Sequence, residues 1–135
     1  MIYAVLDTNV IVSALMSSNP TSPTKRCLKA ALSGNVCPLY NDEIISEYRE
    51  VLTRAKFNFG NDRVNKIIDE LISCGLSTEK RSTDECFPDK TDQVFFEVAL
   101  ARKEDNAKVI TGNLRHYPIS PIVVTPAQFC EMFNL

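Results

Sequence analysis

The chain alternates two kinds of segment, and that alternation restricts it to one class of fold. Short apolar runs, "IYAVL" (2–6), "VCPLY" (36–40), "AKVIT" (107–111) and "IVV" (122–124), are β-rich and bounded by turn residues, as fully buried strands are. Between them lie longer stretches with helical spacing. "NVIVSALM" (9–16) follows a polar turn at Asp7-Thr8 that resembles a helix N-cap, so it is read as helix despite its β-branched residues. "TKRCLKAALSG" places Cys27, Leu28, Ala31 and Leu32 on one face and stops at Gly34. "NDEIISEYREVLTRAKF" (41–57) repeats Ile44, Ile45, Tyr48, Val51 and Leu52 along an amphipathic face. "NDRVNKIIDELISCG" (61–75) repeats the design, capped at Asn61 or Asp62 and closed by Gly75. "DQVFFEVALARKED" is apolar around most of its circumference and so predicts a deeply buried helix; "PAQFCEMFNL" closes the chain. Strand followed by helix throughout predicts an α/β protein with a mostly parallel sheet covered on both faces. "LSTEKR" adds a weak further strand.

At 135 residues this is one domain's worth of chain, 1–135, without a repeat or linker. No apolar run reaches the ~18–20 residues that cross a bilayer, and Met1 leads straight into the first strand, which predicts neither membrane association nor export. The five cysteines are odd in number and scattered, with no C-x-x-C. They argue against a disulfide framework or zinc knuckle, fit a reducing cytoplasm, and are all read as small buried thiols. The net charge of −2 argues against a stable nucleic-acid binder held through phosphate contacts, although a turnover enzyme need not hold its substrate tightly.

Ligand sites of open parallel sheets lie beyond the carboxyl ends of the strands, and polar groups gather there. The first strand ends on Asp7-Thr8-Asn9 and the strand "AKVIT" on Thr111-Gly112-Asn113; Glu47 lies in the helix after the second strand, and Asp89 and Asp92 open the buried helix. Singly, each has a plain reading. Asp7 and Asp92 can cap their helices, worth ~1 kcal/mol each. Asp89 can be a turn residue, and Glu47 can pair with Arg54 or Lys56. Together they are acids abutting strongly apolar sequence at more than one chain crossing. Gathered at one edge, they would resist ionisation unless a cation neutralised them. Hard oxygen ligands in small number suit Mg²⁺ or Mn²⁺, and such sites assist phosphoryl chemistry.

"VLDTNVIVSAL", "IISEYREVL", "PDKTDQVFFEVALA" and "VITGN" occur in the order and spacing of the PIN domain, and the chain most resembles PIN-family toxins of prokaryotic toxin–antitoxin pairs. The resemblance runs from Ile2 to about Val124. It implies a three-layer α/β/α sandwich with four to five strands, and a ribonuclease dependent on Mg²⁺ or Mn²⁺. Carried over position by position, it places the catalytic and metal-binding acids at Asp7, Glu47 and Asp92. The family's fourth acidic position commonly follows "TG", and here it is Asn113. Asn113 can offer a neutral oxygen to the metal, but it lowers the site's charge by one and so raises the metal concentration needed. Asp89 is the candidate additional acid. Asn9 with Thr8 or Thr111 would hold the carboxylates in place. Arg115, His116, Lys25, Arg26 and Lys29 are candidate RNA contacts, against the plain reading of surface charge, and Tyr40, Tyr48 and Tyr117 are read as packing. The partners implied are an RNA substrate and an antitoxin protein. Surplus apolar helix faces around 41–54 and 61–74 would serve that contact or a homodimer.

Two other phosphoryl-transfer folds fit less well. A receiver domain needs a phosphorylated Asp closing the third strand, which "LSTEKR" lacks; a haloacid-dehalogenase-like phosphatase needs an Asp where Asn9 stands. The serious alternative is a PIN-like binding or scaffold module whose activity is weak or lost, a reading favoured by Asn113 and by the acidic net charge.

Overall fold

A computed structural model describes residues 1–135. The elements are β1 (Ile2–Leu6), α1 (Thr8–Met16), α2 (Pro23–Ser33), β2 (Val36–Tyr40), α3 (Asp42–Leu52), α4 (Asn61–Cys74), β3 (Leu76–Ser77), α5 (Lys90–Ala101), β4 (Lys108–Ile110), β5 (Val123–Val124) and α6 (Pro126–Phe133). Single 3₁₀ turns occupy Ala55–Phe57, Lys103–Asp105 and Leu114–His116. All strand pairs are parallel, in the order β3-β2-β1-β4-β5. The expected sandwich is present: α5 lies across β1, β2 and β4, while α2 and α4 pack on β2 and α2 carries α1 and α6. No helix is long and apolar enough to cross a membrane.

Because the chain moves outward from β1 to β3 and then returns to β4, the strand order reverses between β1 and β4. Ligands of open α/β sheets bind at such a switch point, beyond the carboxyl ends of the two strands. Register holds those ends level, with Leu6 opposite Ile110. Helix α3 touches α1, α4 and α5, which sets it beside the same edge.

The central strand is buried along Ala4, Val5 and Leu6, and α5 buries every residue from 94 to 99, Glu97 included. Full burial of each Leu, Phe or Ile is worth about 1.5–3 kcal/mol, so these elements dominate the core. The apolar faces of α3 and α4 are used up within it. Ile44, Tyr48 and Leu52, with Val64, Ile67, Ile68 and Leu71, belong to one buried cluster, and only Ile72 stands exposed. The expected surplus for a partner or homodimer is therefore absent from these two helices.

Boundaries differ from the periodic reading where a local contact overrides it. Helix α3 stops at Leu52 because the Thr53 hydroxyl turns back to donate to the Arg49 carbonyl (2.6 Å) and Arg54 is extended. The cap of α4 is Gly60 at φ 87°, a backbone state that glycine reaches without strain, and not Asn61 or Asp62. Only Leu76–Ser77 of the weak strand pairs with β2. Beyond it the Arg81 amide bonds the Glu97 carbonyl, drawing the chain onto α5. Cys27 and Cys130 are buried as expected, Cys37 and Cys74 half-buried, but Cys86 is exposed on the loop before α5.

Gly75 ends α4 for a reason other than a left-handed turn. Its backbone is extended, yet a Cβ there would lie 2.3 Å from the Pro38 carbonyl oxygen and 2.5 Å from that of Leu71. The α4–β2 approach tolerates no side chain. Gly75→Ala is expected to cost about 3 kcal/mol through overpacking, read as a lower urea midpoint with unchanged slope; a parental midpoint would show that α4 can shift freely.

Candidate active site

Asp7 follows β1 directly, and its amide continues the ladder by donating to the Ile110 carbonyl (2.9 Å). It occupies the N-cap position of α1 but makes no side-chain capping bond. Its Oδ2 instead accepts from the hydroxyls of Thr111 (2.8 Å) and Tyr117 (2.9 Å). The residue is 5% exposed. Burial pushes its pKa up, while the two hydroxyls and the nearby amides of Asn9 and Thr8 pull it part of the way back. Thr111, fully buried, also accepts from the Asn113 amide (3.0 Å), and Asn9 Oδ1 accepts from the Gly112 amide (3.1 Å). The turn after β4 is thus stitched to the start of α1. Thr8 Oγ1 is buried and has no partner in the protein.

The sequence expectation sets Asp92 at the mouth of the buried helix, able to cap it. It lies instead within the first turn of α5, because Asp89 takes the cap, accepting from the Thr91 amide (2.9 Å) and the Thr91 hydroxyl. Those bonds hold the Asp89 pKa below the ordinary range. Asp92 is free to face the edge, its side chain 13% exposed, with His116 Nδ1 3.6 Å from Oδ2. Its pKa is pushed up to about 6, by burial first, then by the charges of Asp7 and Asp89 against the pull of His116, and lastly by Glu47. Glu47, half-buried on α3, is raised by burial, then by Glu50 against the pull of Arg54, then by Asp89 and Asp7. Arg54 does not pair with Glu47; its guanidinium engages Glu50 at 2.8 Å. Lys56 lies over the ring of Phe57.

The charge of Asp7 therefore opposes ionisation of both Glu47 and Asp92, and the charge of Glu47 opposes that of Asp92. No three His, Cys, Asp or Glu side chains close into a single ligand cage. The donor set nevertheless fits a hard, hydrated divalent cation. It consists of carboxylate oxygens, few in number, in a partly buried cluster with no Lys or Arg bonded to it.

The remaining candidates divide by location. Asn113 is exposed beside the cluster, and Arg115 and His116 ride the exposed 3₁₀ turn that follows it. Lys25 and Lys29 line a groove between α2 and the second half of α1, the end away from Asp7. Arg26 is engaged elsewhere, donating to the Leu135 carbonyl (2.8 Å). Along α3 and α5 a second groove runs past Asp42, Glu43, Glu47 and Glu50, faced by Lys90, so this side of the cluster is acidic.

Two polar residues escaped the sequence reading. The Tyr117 hydroxyl reaches Asp7, which the expectation of packing alone misses; the signal available is a tyrosine where phenylalanine would fill the same space. Glu97, 6% exposed, accepts from the Thr83 amide (3.0 Å) and Gln93 Nε2 (3.4 Å), anchoring the segment before α5. The apolar run around Glu97 concealed it.

Neither characterised proteins nor solved structures provide a match to the chain. The sequence model of the PIN domain does match, over residues 3–115, from β1 through the turn that carries Arg115. That span contains Asp7, Glu47, Asp92, Thr111 and Asn113, and PIN domains are generally nucleases that use divalent metal ions. The chain belongs to the PIN domain family, and its all-parallel sheet reverses strand order between β1 and β4.

Proposed function

We propose that the protein is a ribonuclease dependent on Mg²⁺ or Mn²⁺, and the toxin of a toxin–antitoxin pair acting in the cytoplasm. One observation carries the reading. Asp7 after β1, Glu47 on α3 and Asp92 on α5 are all raised in pKa, by burial first, and the charge of Asp7 adds to the rise at the other two, with no Lys or Arg side chain bonded to them. A fold keeps such a cost where a ligand relieves it. Asp7, Glu47 and Asp92 would hold the cation, with Asn113 contributing a neutral oxygen. When bound, Mg²⁺ or Mn²⁺ supplies charge stabilisation on the phosphate and a more acidic water.

The chain's own residues do the rest. Thr111 and Tyr117 hold the Asp7 carboxylate, while Asn9 fixes the loop that presents Asn113. The α3 side of the cluster is acidic and would repel a phosphate chain, so RNA approaches over the turn carrying Arg115 and His116. An antitoxin would inhibit by covering this edge.

A binding or scaffold role is the second reading, favoured by Asn113 at the fourth acidic position and by a net charge of −2. Incubating single-stranded and structured RNAs with the protein in Mn²⁺, Mg²⁺ or EDTA separates the two. Cleavage in either metal and none in EDTA is the expected result. Intact RNA at saturating metal, with a folded protein, would reject the nuclease and favour the scaffold.

A further inference from the structure

The hydroxyl of Tyr117 has one partner in the protein, Asp7 Oδ2 at 2.9 Å. It meets there a second donor, Thr111 Oγ1 at 2.8 Å, which arrives from the end of β4. Both hydroxyls converge on the same oxygen, and Oδ1 is left without a side-chain donor. A carboxylate held by one hydrogen bond can pivot about the bonded oxygen; two donors from different chain segments fix its plane. Tyr117 is itself 6% exposed, and its ring stands edge-on to Phe87 (centroids 5.8 Å apart, planes at 87°), which packs in turn on Phe96 of α5. The ring therefore cannot swing away without opening the contact between the segment before α5 and the turn after β4. Phenylalanine would fill this space equally well, so packing does not account for the hydroxyl.

We infer that Tyr117 is a positioning residue: its hydroxyl, with Thr111, clamps Oδ2 of Asp7 so that Oδ1 is presented to the divalent cation. The inference rests on the metal site proposed above. It assigns no chemistry to Tyr117, which acts through Asp7 alone. Loss of the hydroxyl would leave the acid in place with a looser orientation, and would weaken the cation's binding before it altered turnover at saturation.

The test is calorimetric titration of Mn²⁺ into the parent, Tyr117→Phe and Tyr48→Phe, with thermal melts of each without metal. Tyr48 is the control, since its buried hydroxyl donates to the carbonyl of Leu6, next to Asp7 but not on its carboxylate. Tyr117→Phe is expected to bind Mn²⁺ about tenfold more weakly and to recover its cleavage rate as Mn²⁺ is raised. Tyr48→Phe is expected to melt lower with parental Mn²⁺ affinity. Parental affinity in Tyr117→Phe, or an equal loss in both variants, would overturn the clamp while leaving the metal site standing. A parent that binds no Mn²⁺ would overturn both. Should Tyr117→Phe fail to fold, Phe87→Leu carries the test: it keeps the hydroxyl but loosens the ring, so a weaker, smaller loss of affinity supports the clamp and none rejects it.

Discussion

Asp7→Asn is expected to fold as the parent does and to cleave RNA at least about a thousandfold more slowly in saturating Mn²⁺, a loss of ~4 kcal/mol of transition-state stabilisation. The substitution keeps the shape and an oxygen that can accept from Thr111 and Tyr117, whose hydroxyls lie 2.8 and 2.9 Å from Oδ2. What it removes is the charge. Asp7 is the most buried of the three clustered acids and the only one tied to both β1 and β4, so no neighbour can take its place. The fold does not need the charge. Burial already raises the Asp7 pKa, which means that ionisation opposes folding at neutral pH. Cleavage assays and thermal melts on the same preparations check the prediction. Retention of more than a tenth of the parental rate would remove Asp7 from the metal site; loss of the fold would make its role structural.

The second large effect is on stability. Asp92 titrates near 6 in the fold and at about 3.8 in an unfolded chain. Between those values the folded state keeps a proton that the unfolded state has released. The unfolded state binds fewer protons there, so stability falls as pH rises through the window, and the penalty is complete above about pH 6–7. Glu47 and Asp7, also raised, act in the same direction. Allowing for solvent screening, Asp92 contributes about 2 kcal/mol, or roughly 6–10 °C in Tm for a domain of this size. In EDTA, the parent is expected to melt higher at pH 5 than at pH 8, and Asp92→Asn to lose much of that difference and outlast the parent at pH 8. Mn²⁺ should restore the parent at pH 8 and leave Asp92→Asn little changed. Identical pH dependence in the two proteins would mean that Asp92 carries no such strain.

Some of the candidate site residues are readable in sequence and others are not. Asp7 is conspicuous because it interrupts apolar sequence at a strand end, a local event. Glu47 and Asp92 look like ordinary helix acids until α3 and α5 are set against the same edge. Asp92 in particular reads as a cap, because sequence does not say which of Asp89 and Asp92 takes that position. Asp89 does, with Thr91, and this leaves Asp92 free to face the cluster. The plain partners offered for Glu47 fail for a comparable reason, since Arg54, extended just past the end of α3, closes on Glu50 instead.

The sequence by itself determined the class of fold. Strand and helix periods are local properties, and four short apolar runs alternating with helical stretches leave a parallel sheet as the arrangement that buries both faces of its central strands. It also set Asp7 at the carboxyl end of the first strand. Tertiary structure decided what a periodicity cannot express. The apolar faces of α3 and α4 serve the core rather than a partner, because each closes on the other and on the sheet. Gly75 is required by a backbone approach to Pro38 and not by a turn. The orientation of Asp7 is set by hydroxyls 104 and 110 residues away in the chain. Contacts of that separation exist only after the strand order has reversed between β1 and β4, and no local pattern encodes where the reversal falls.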